Sequence, residues 1–245
     1  MLFLSKAAVG DLSEVIRLKP DDVDLYLARA NALMASGDDA AALADAQTAA
    51  GLDPKSVSAY SLSGYLRLRQ GDLDGAVTDY DKVIALAPQG AAGYRNRAYV
   101  QYKRGDFDLA IADYTRALAL EPQLAAAYAG RGDAIAKKGD DAAAMADFDA
   151  ALRLEPDNAL FLNSRANAEI RLGELDAAIA DFDKAIGLSP ELAALFYGRG
   201  KAYLVLEKPR EARADFDEAL RLDPSLEAAR LQLQSVAKLE KRRRG

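Results

Sequence analysis

The chain has 245 residues, 32 basic against 38 acidic side chains for a formal charge of −6, and neither Cys nor His. The acidic balance excludes wholesale electrostatic binding of DNA or RNA. The missing Cys and His exclude disulfides, zinc sites of the Cys/His kind, thiol nucleophiles and His-based triads. A hydrophobic content of 51% predicts a folded, soluble chain, no apolar run reaches the roughly 20 residues of a membrane span, and the opening Met1-Leu-Phe-Leu-Ser is too short for a signal peptide. The prolines keep a ruler. Pro20, Pro54, Pro88, Pro122, Pro156, Pro190 and Pro224 follow one another at steps of 34 residues, and only Pro209 stands off it. A fixed period of this length is the mark of a stacked repeat architecture.

In chain order, residues 1–20 read as an N-terminal half repeat. Ala8, Asp11, Leu12 and Val15 keep the register of a second helix, with no first helix ahead of them. Six full units follow over residues 23–224, starting near Val23, Val57, Ala91, Ala125, Ala159 and Ala193. Each reads as two helices. In the third, Ala91 to Arg104 is free of proline, and Tyr94, Ala98 and Gln101 mark one face. Gly105-Asp106 then ends one helix and caps the next. Ala110, Ile111, Tyr114, Ala117, Leu118 and Leu120 keep amphipathic spacing, and Glu121-Pro122 stops the second helix. Across the units Ala and Asp recur without a gap, at Ala8 to Ala212 and Asp11 to Asp215. Gly recurs from Gly37 to Gly173 and gives way to Glu207 in the last unit. Ala46 stands where later units place an aromatic, so the first full unit is expected to pack thinly. Pro209 suits the first turn of a helix, where its missing N–H matters little. Residues 226–241 read as a capping helix, of the kind repeat stacks need at an end. The basic tail from Lys241 to Gly245 reads as a solvated terminus.

Chemistry finds no foothold. Arg131-Gly132-Asp133 spells an adhesion tripeptide but falls within a predicted first helix, with Gly132 as a packing residue. Gly198-Arg-Gly-Lys201 lacks the spacing of a phosphate loop. Asp147 with Asp149, and Asp181 with Asp183, point to different helix faces and make poor metal pairs. No enzyme, no cofactor and no metal are expected.

The segment Tyr94-Arg-Asn-Arg-Ala98, Gly105-Asp-Phe-Asp-Leu-Ala110, Tyr114-Thr-Arg-Ala117 and Pro122 closely resembles the tetratricopeptide repeat family, and the resemblance runs through almost the whole chain. Arg67, Gln101 and Glu169 depart from it, standing where the family has an aromatic. The resemblance implies an all-α fold, a single right-handed superhelical solenoid of antiparallel helix pairs over residues 1–245. It further implies a protein–protein interaction scaffold whose first helices line a concave groove for a partner peptide or helix. The best-known peptide-reading variant of the family is not expected, because Leu27 and Leu62 occupy places where it needs polar side chains. The alternative is a structural or assembly subunit acting through its ends or outer face. The compartment is open between cytoplasm and periplasm.

Three expectations follow. Arg29, Arg97, Arg131, Arg165 and Arg199 recur beside the Asp series, with a gap at Ser63. Each is expected to reach the Asp of the preceding unit (Arg29 to Asp11, Arg97 to Asp79, Arg131 to Asp113), the alternative being pairing within its own unit or exposure to solvent. The half repeat, with Leu2, Phe3, Leu4, Leu12, Val15 and Ile16, is expected to leave apolar surface exposed, through a lost upstream segment or as a self-association face, unless it is simply a frayed end. Finally, the family pattern places Tyr65, Arg69, Arg95, Tyr99, Tyr102, Lys103, Lys137, Asn163, Asn167, Arg171, Tyr197 and Lys201 on the concave face, with Lys238 on the cap. Only Asp24 and Asp133 bring acid there. Such a lining suits an acidic, partly aromatic or aliphatic segment of a partner protein. Arg69, Lys103, Lys137 and Arg171 have a second explanation, since cations in a last turn favour the helix dipole.

Overall fold

The computed structural model describes the backbone of residues 2–244 and the side chains of residues 7–241. The expectations placed on Leu2, Phe3 and Leu4, and on the tail beyond Lys241, fall outside those side chains. The described residues form fourteen helices and no strand. They divide into two compact units, Met1–Pro122 and Gln123–Gly245. The first holds α1 (Leu2–Leu18), α2 (Val23–Ala35), α3 (Asp39–Leu52), α4 (Val57–Gln70), α5 (Leu73–Leu86), α6 (Ala91–Arg104) and α7 (Phe107–Leu120). The second holds α8 (Ala125–Lys137), α9 (Asp141–Leu154), α10 (Ala159–Leu172), α11 (Leu175–Leu188), α12 (Ala193–Val205), α13 (Pro209–Leu222) and α14 (Glu227–Arg244). From α2 onwards the helices pair as antiparallel hairpins of a first and a second helix, the last pair being α12 and α13.

Punctuation in the sequence sets these boundaries. The Asp38, Asp72 and Asp140 side chains accept from the backbone N–H three residues on, at Ala41, Gly75 and Ala143, and so cap α3, α5 and α9. Within each hairpin the turn needs a left-handed residue. Gly37, Gly71, Gly105, Gly139 and Gly173 supply it with φ between 82° and 92°. Glu207 takes the same place in the last hairpin at φ 54°. Between hairpins the residue ahead of each ruler proline leaves the helical region, as at Glu121 (φ −138°, ψ 93°), because the proline ring crowds it. Pro209 sits in the first turn of α13, as expected.

From α4 onwards the core of each hairpin is an aromatic on the second helix facing a small residue on the first. Tyr80, Tyr114, Phe148, Phe182 and Phe216 are all buried, and burying each such ring contributes about 1.5–3 kcal/mol. A Cβ added at Gly132 would stand 2.8 Å from Phe148, and one at Gly200 would stand 2.7 Å from Phe216. Ala46, without an aromatic, is nevertheless fully buried. Leu66, Leu33 and Met34 supply the bulk around it. The half repeat packs on the first helix of the next unit, where α1 meets α2 and buries Ile16, while Val15 and Leu18 stay 40% and 71% exposed.

The arginine ladder exists, but it pairs the other way from the expectation. Arg97 donates from Nε and Nη2 to Asp113 at 2.7 and 2.8 Å, and Arg29 donates to Asp45, both at 2.7 Å. Arg131 with Asp147, Arg165 with Asp181 and Arg199 with Asp215 repeat the fork. Asp11 is exposed, Asp113 is taken by Arg97, and Asp79 is held by the Ser63 hydroxyl at 2.6 Å and by Arg67 at 3.4 Å. The reason is geometric. Arg97 lies eight residues before Gly105 and Asp113 eight after, and residues equidistant from the turn of an antiparallel hairpin face each other. The remaining nitrogen does reach backwards. Nη1 of Arg97, Arg165 and Arg199 donates to Asp81, Asp149 and Asp183 at 2.5, 2.8 and 2.5 Å, and that of Arg29 donates to Ser13 at 3.0 Å. Those partners lie sixteen residues upstream, mirrored about the turn between hairpins. At the gap, Arg67 compensates from one helical turn beyond Ser63.

Candidate binding surfaces on the first helices

One position on each first helix recurs at the 34-residue step as Asn31, Tyr65 and Tyr99 in the first unit and Asp133, Asn167 and Lys201 in the second. One helical turn later come Arg69 and Lys103, then Lys137 and Arg171. Residues four apart share a helix face, so the two series combine into pairs.

In the first unit the pairs are aromatic and cationic. Tyr65 and Tyr99 are 44% and 43% exposed. The Arg69 guanidinium stands 5.9 Å from the Tyr65 ring centroid and the Lys103 ammonium 5.5 Å from that of Tyr99, a stabilising arrangement of cation and ring quadrupole. Arg69 also reaches Asp39, at the start of α3, at 3.0 Å. Arg95 holds only the amide oxygen of Asn96, at 3.1 and 2.9 Å. That partner is neutral, and among the described residues no carboxylate forms an ion pair with the guanidinium. Its field opposes the burial that pushes the Tyr80 phenol up to about 12. Tyr102 is half-buried and tilts against Phe107 with 5.8 Å between ring centroids, which places it in the wall between α6 and α7.

In the second unit the corresponding face is knitted to itself. Lys137 is exposed at the end of α8. Asp133, a turn earlier, has its carboxyl pushed up by burial against the opposing pull of the Ser164 hydroxyl, Lys137 and Arg171. Arg171 closes its fork on Asp141 with contacts of 2.6 to 2.9 Å. Asn167 donates to the Asn163 carbonyl at 2.7 Å, and Lys201 donates to the Asn167 side-chain oxygen at 3.0 Å. Tyr197 packs on Phe216 with 5.9 Å between centroids and lies 5.3 Å below the Lys201 ammonium. Burial, and after it Arg171, lowers the Lys201 pKa. Lys238 is exposed on α14. The adhesion tripeptide is absorbed into α8: Arg131 is paired with Asp147, Gly132 lies against Phe148 and Asp133 meets Ser164.

Two features escaped the sequence reading. Arg69 and Arg171 are tied to acids thirty residues upstream. The signal was available, because Asp opens the second helix at Asp39 and Asp141, and those are the hairpins followed by Arg at this position. Behind the faces, Gln101 and Glu169 occupy equivalent buried places, each 5% exposed, with Gln101 Oε1 and Glu169 Oε2 left without a hydrogen-bond partner. Burial, reinforced by Asp181, raises the Glu169 carboxyl to about 7 despite Arg165 at 3.8 Å. Among the described residues no cluster of three or more acids could hold a metal ion, and no helix is long and apolar enough to cross a membrane.

Comparison with known proteins agrees with this geometry. Family models described as tetratricopeptide repeat match residues 5–57, 91–124, 125–158 and 193–226, and one described as TPR repeat matches residues 64–105 and 166–206. A chain of the APC/C hetero-tetramer Cut9-Hcn1 superposes with a TM-score of 0.84 at 19% identity. The match covers 95% of the present chain, which spans 46% of that one. A tetratricopeptide repeat protein from Parabacteroides merdae gives 0.78 at 19% identity, covering 95% of this chain and 92% of its own. PilF of Pseudomonas aeruginosa gives 0.74 at 18%, covering 88% and 96%. At these identities the likeness is one of fold. No protein of curated function matches the sequence. With the 34-residue step, the paired helices and the matches along its length, the chain belongs to the tetratricopeptide repeat family.

Proposed function

We propose that this chain is a protein-interaction scaffold whose first-helix faces take an acidic segment, extended or helical, from a partner protein. The tetratricopeptide architecture is typically a non-enzymatic interaction scaffold, and the similar Cut9-Hcn1 chain is itself part of a hetero-tetramer. The observation that carries the reading is the face of α4 and α6. A chain of charge −6 presents there two half-exposed tyrosines under cations and an arginine that, among the described residues, pairs with no carboxylate. Tyrosine gives large contact area with little loss of side-chain freedom, and the cations steer acids in while discouraging basic segments. The alternative, an assembly subunit, would use its ends, where Val15 and Leu18 of α1 are exposed.

The test is charge reversal. Arg95→Glu and Lys103→Glu in the first unit, combined with Lys137→Glu in the second, should weaken binding of a Glu- and Leu-containing peptide by at least about tenfold. The far-ultraviolet circular dichroism should stay the same. Binding to the parent chain should also weaken as salt rises. Unchanged affinity in the triple variant, or indifference to salt, moves the interaction to another surface.

A further inference from the structure

Lys201 is a cation held half-buried without a counter-ion. Its ammonium donates to a neutral oxygen, that of Asn167, at 3.0 Å, and sits 5.3 Å from the centroid of the Tyr197 ring. Among the described residues no carboxylate lies within ion-pair distance of it. The ladder arginines, in contrast, each close on one or two carboxylates. Arg171 repels the Lys201 ammonium, and its own fork is closed on Asp141. Asn167 is not free to turn and offer something better. Its amide nitrogen is bound to the Asn163 carbonyl at 2.7 Å, which keeps its oxygen towards Lys201. A cation taken from water without a partner is unfavourable. A bound anion would remove that penalty, and the groups around the ammonium already stand in position for one.

We propose that Lys201, positioned by Asn167 and Asn163 above Tyr197, is a receptor for a single carboxylate of the acidic partner segment, and not a structural tie between α10 and α12. The proposal rests on the reading of the first-helix faces given above. One ammonium suits one negative charge. A dianionic phosphate would call for the planar fork of Arg171 as well, and Asp141 already occupies that fork. The Tyr197 ring provides an apolar floor for the methylene that carries the carboxylate.

The test uses the full chain with its lysines reductively methylated with carbon-13, a change that keeps their charge. The Lys201 resonance is assigned by its loss in Lys201→Met. The Glu- and Leu-containing peptide, acetate and inorganic phosphate are titrated separately. The Lys201 pKa should rise with peptide and with acetate, and less with phosphate. Lys201→Met should bind the peptide about tenfold more weakly, with a thermal midpoint no lower than the parent's. A Lys201 pKa that stays still while the peptide binds overturns the proposal. So does a Lys201→Met variant with unchanged affinity and a lowered midpoint, which is the behaviour of a structural tie. A larger rise with phosphate than with acetate overturns the single-charge assignment. If acetate raises the pKa and no acidic peptide binds anywhere on the chain, the carboxylate site stands and the wider reading of the faces falls.

Discussion

Glu169 puts a carboxyl in the buried place that Gln101 fills two repeats earlier. Its folded pKa of about 7 lies above the 4.5 of a free glutamate because burial disfavours the charge and Asp181, Glu174 and Asp149 repel it, with Arg165 the one group that draws it down. Between those two values the folded chain holds a proton that the unfolded chain has released. Stability therefore falls as pH rises from about 4.5 to about 7, and the loss is complete above that. Gln101 shows, two repeats earlier, that the neutral isostere fits the same buried place. Glu169→Gln should therefore leave stability near that of the parent at pH 4.5 and exceed it by about 2 kcal/mol at pH 8. Urea midpoints of both proteins at the two pH values check this, since titrations common to both cancel in the difference. An equal gap at both pH values would show that Glu169 ionises freely.

At the scale of a helix, α12 lies close against its neighbours. A Cβ on Gly198 would come within 2.4 Å of two carbons of the Phe182 ring, and that ring is fully buried. Neither α11 nor α12 can yield without disturbing the next contact, because Gly200 on α12 lies against Phe216 in the same way. Gly198→Ala should cost about 1–3 kcal/mol. Gly187, in α11, meets nothing within 4 Å, and Gly187→Ala should stabilise by about 0.5–1 kcal/mol as a plain gain in helix propensity. Thermal midpoints of the two variants should move in opposite directions. A common sign would mean that the ring contact does not set the spacing of these helices.

Across the whole molecule, the period, the hairpins and the small-to-large packing were legible because each rests on local chemistry: a proline that ends a helix, a glycine that turns it, an aromatic that needs a gap. The pairing of the ladder was legible too, in principle. Arg97 and Asp113 straddle Gly105 at equal distances, but the solitary Asp11 drew the expectation towards the preceding unit. The binding faces were harder. Tyr102 and Tyr99 look alike in sequence, yet one leans on Phe107 and the other is open. The predicament of Lys201 depends on Asn167, one full repeat away. Such properties arise from neighbours far along the chain, and no helical periodicity announces them.

The double mirror of the arginines also bears on how this chain can change in length. Arg165 faces Asp149 across one turn and Asp181 across the next, and Arg199 repeats the figure with Asp183 and Asp215. Excising residues 159–192 would bring Arg199 to the seat of Arg165, with Asp149 waiting at the same distance along the chain. Removing a single residue from the turn at 155–158 would slide Arg165 off Asp149, the ladder contact that spans the deletion, by about 100° of helix. The shortened chain lacking one whole period should unfold cooperatively, with its helical signal per residue preserved, whereas the one-residue deletion should melt at a distinctly lower temperature. If the two melt alike, the ladder does not enforce the count. If they differ as expected, this molecule can gain or lose copies of its unit by duplication or excision, yet resists drift in the unit's size, and its ion pairs act as the proofreader of that copying.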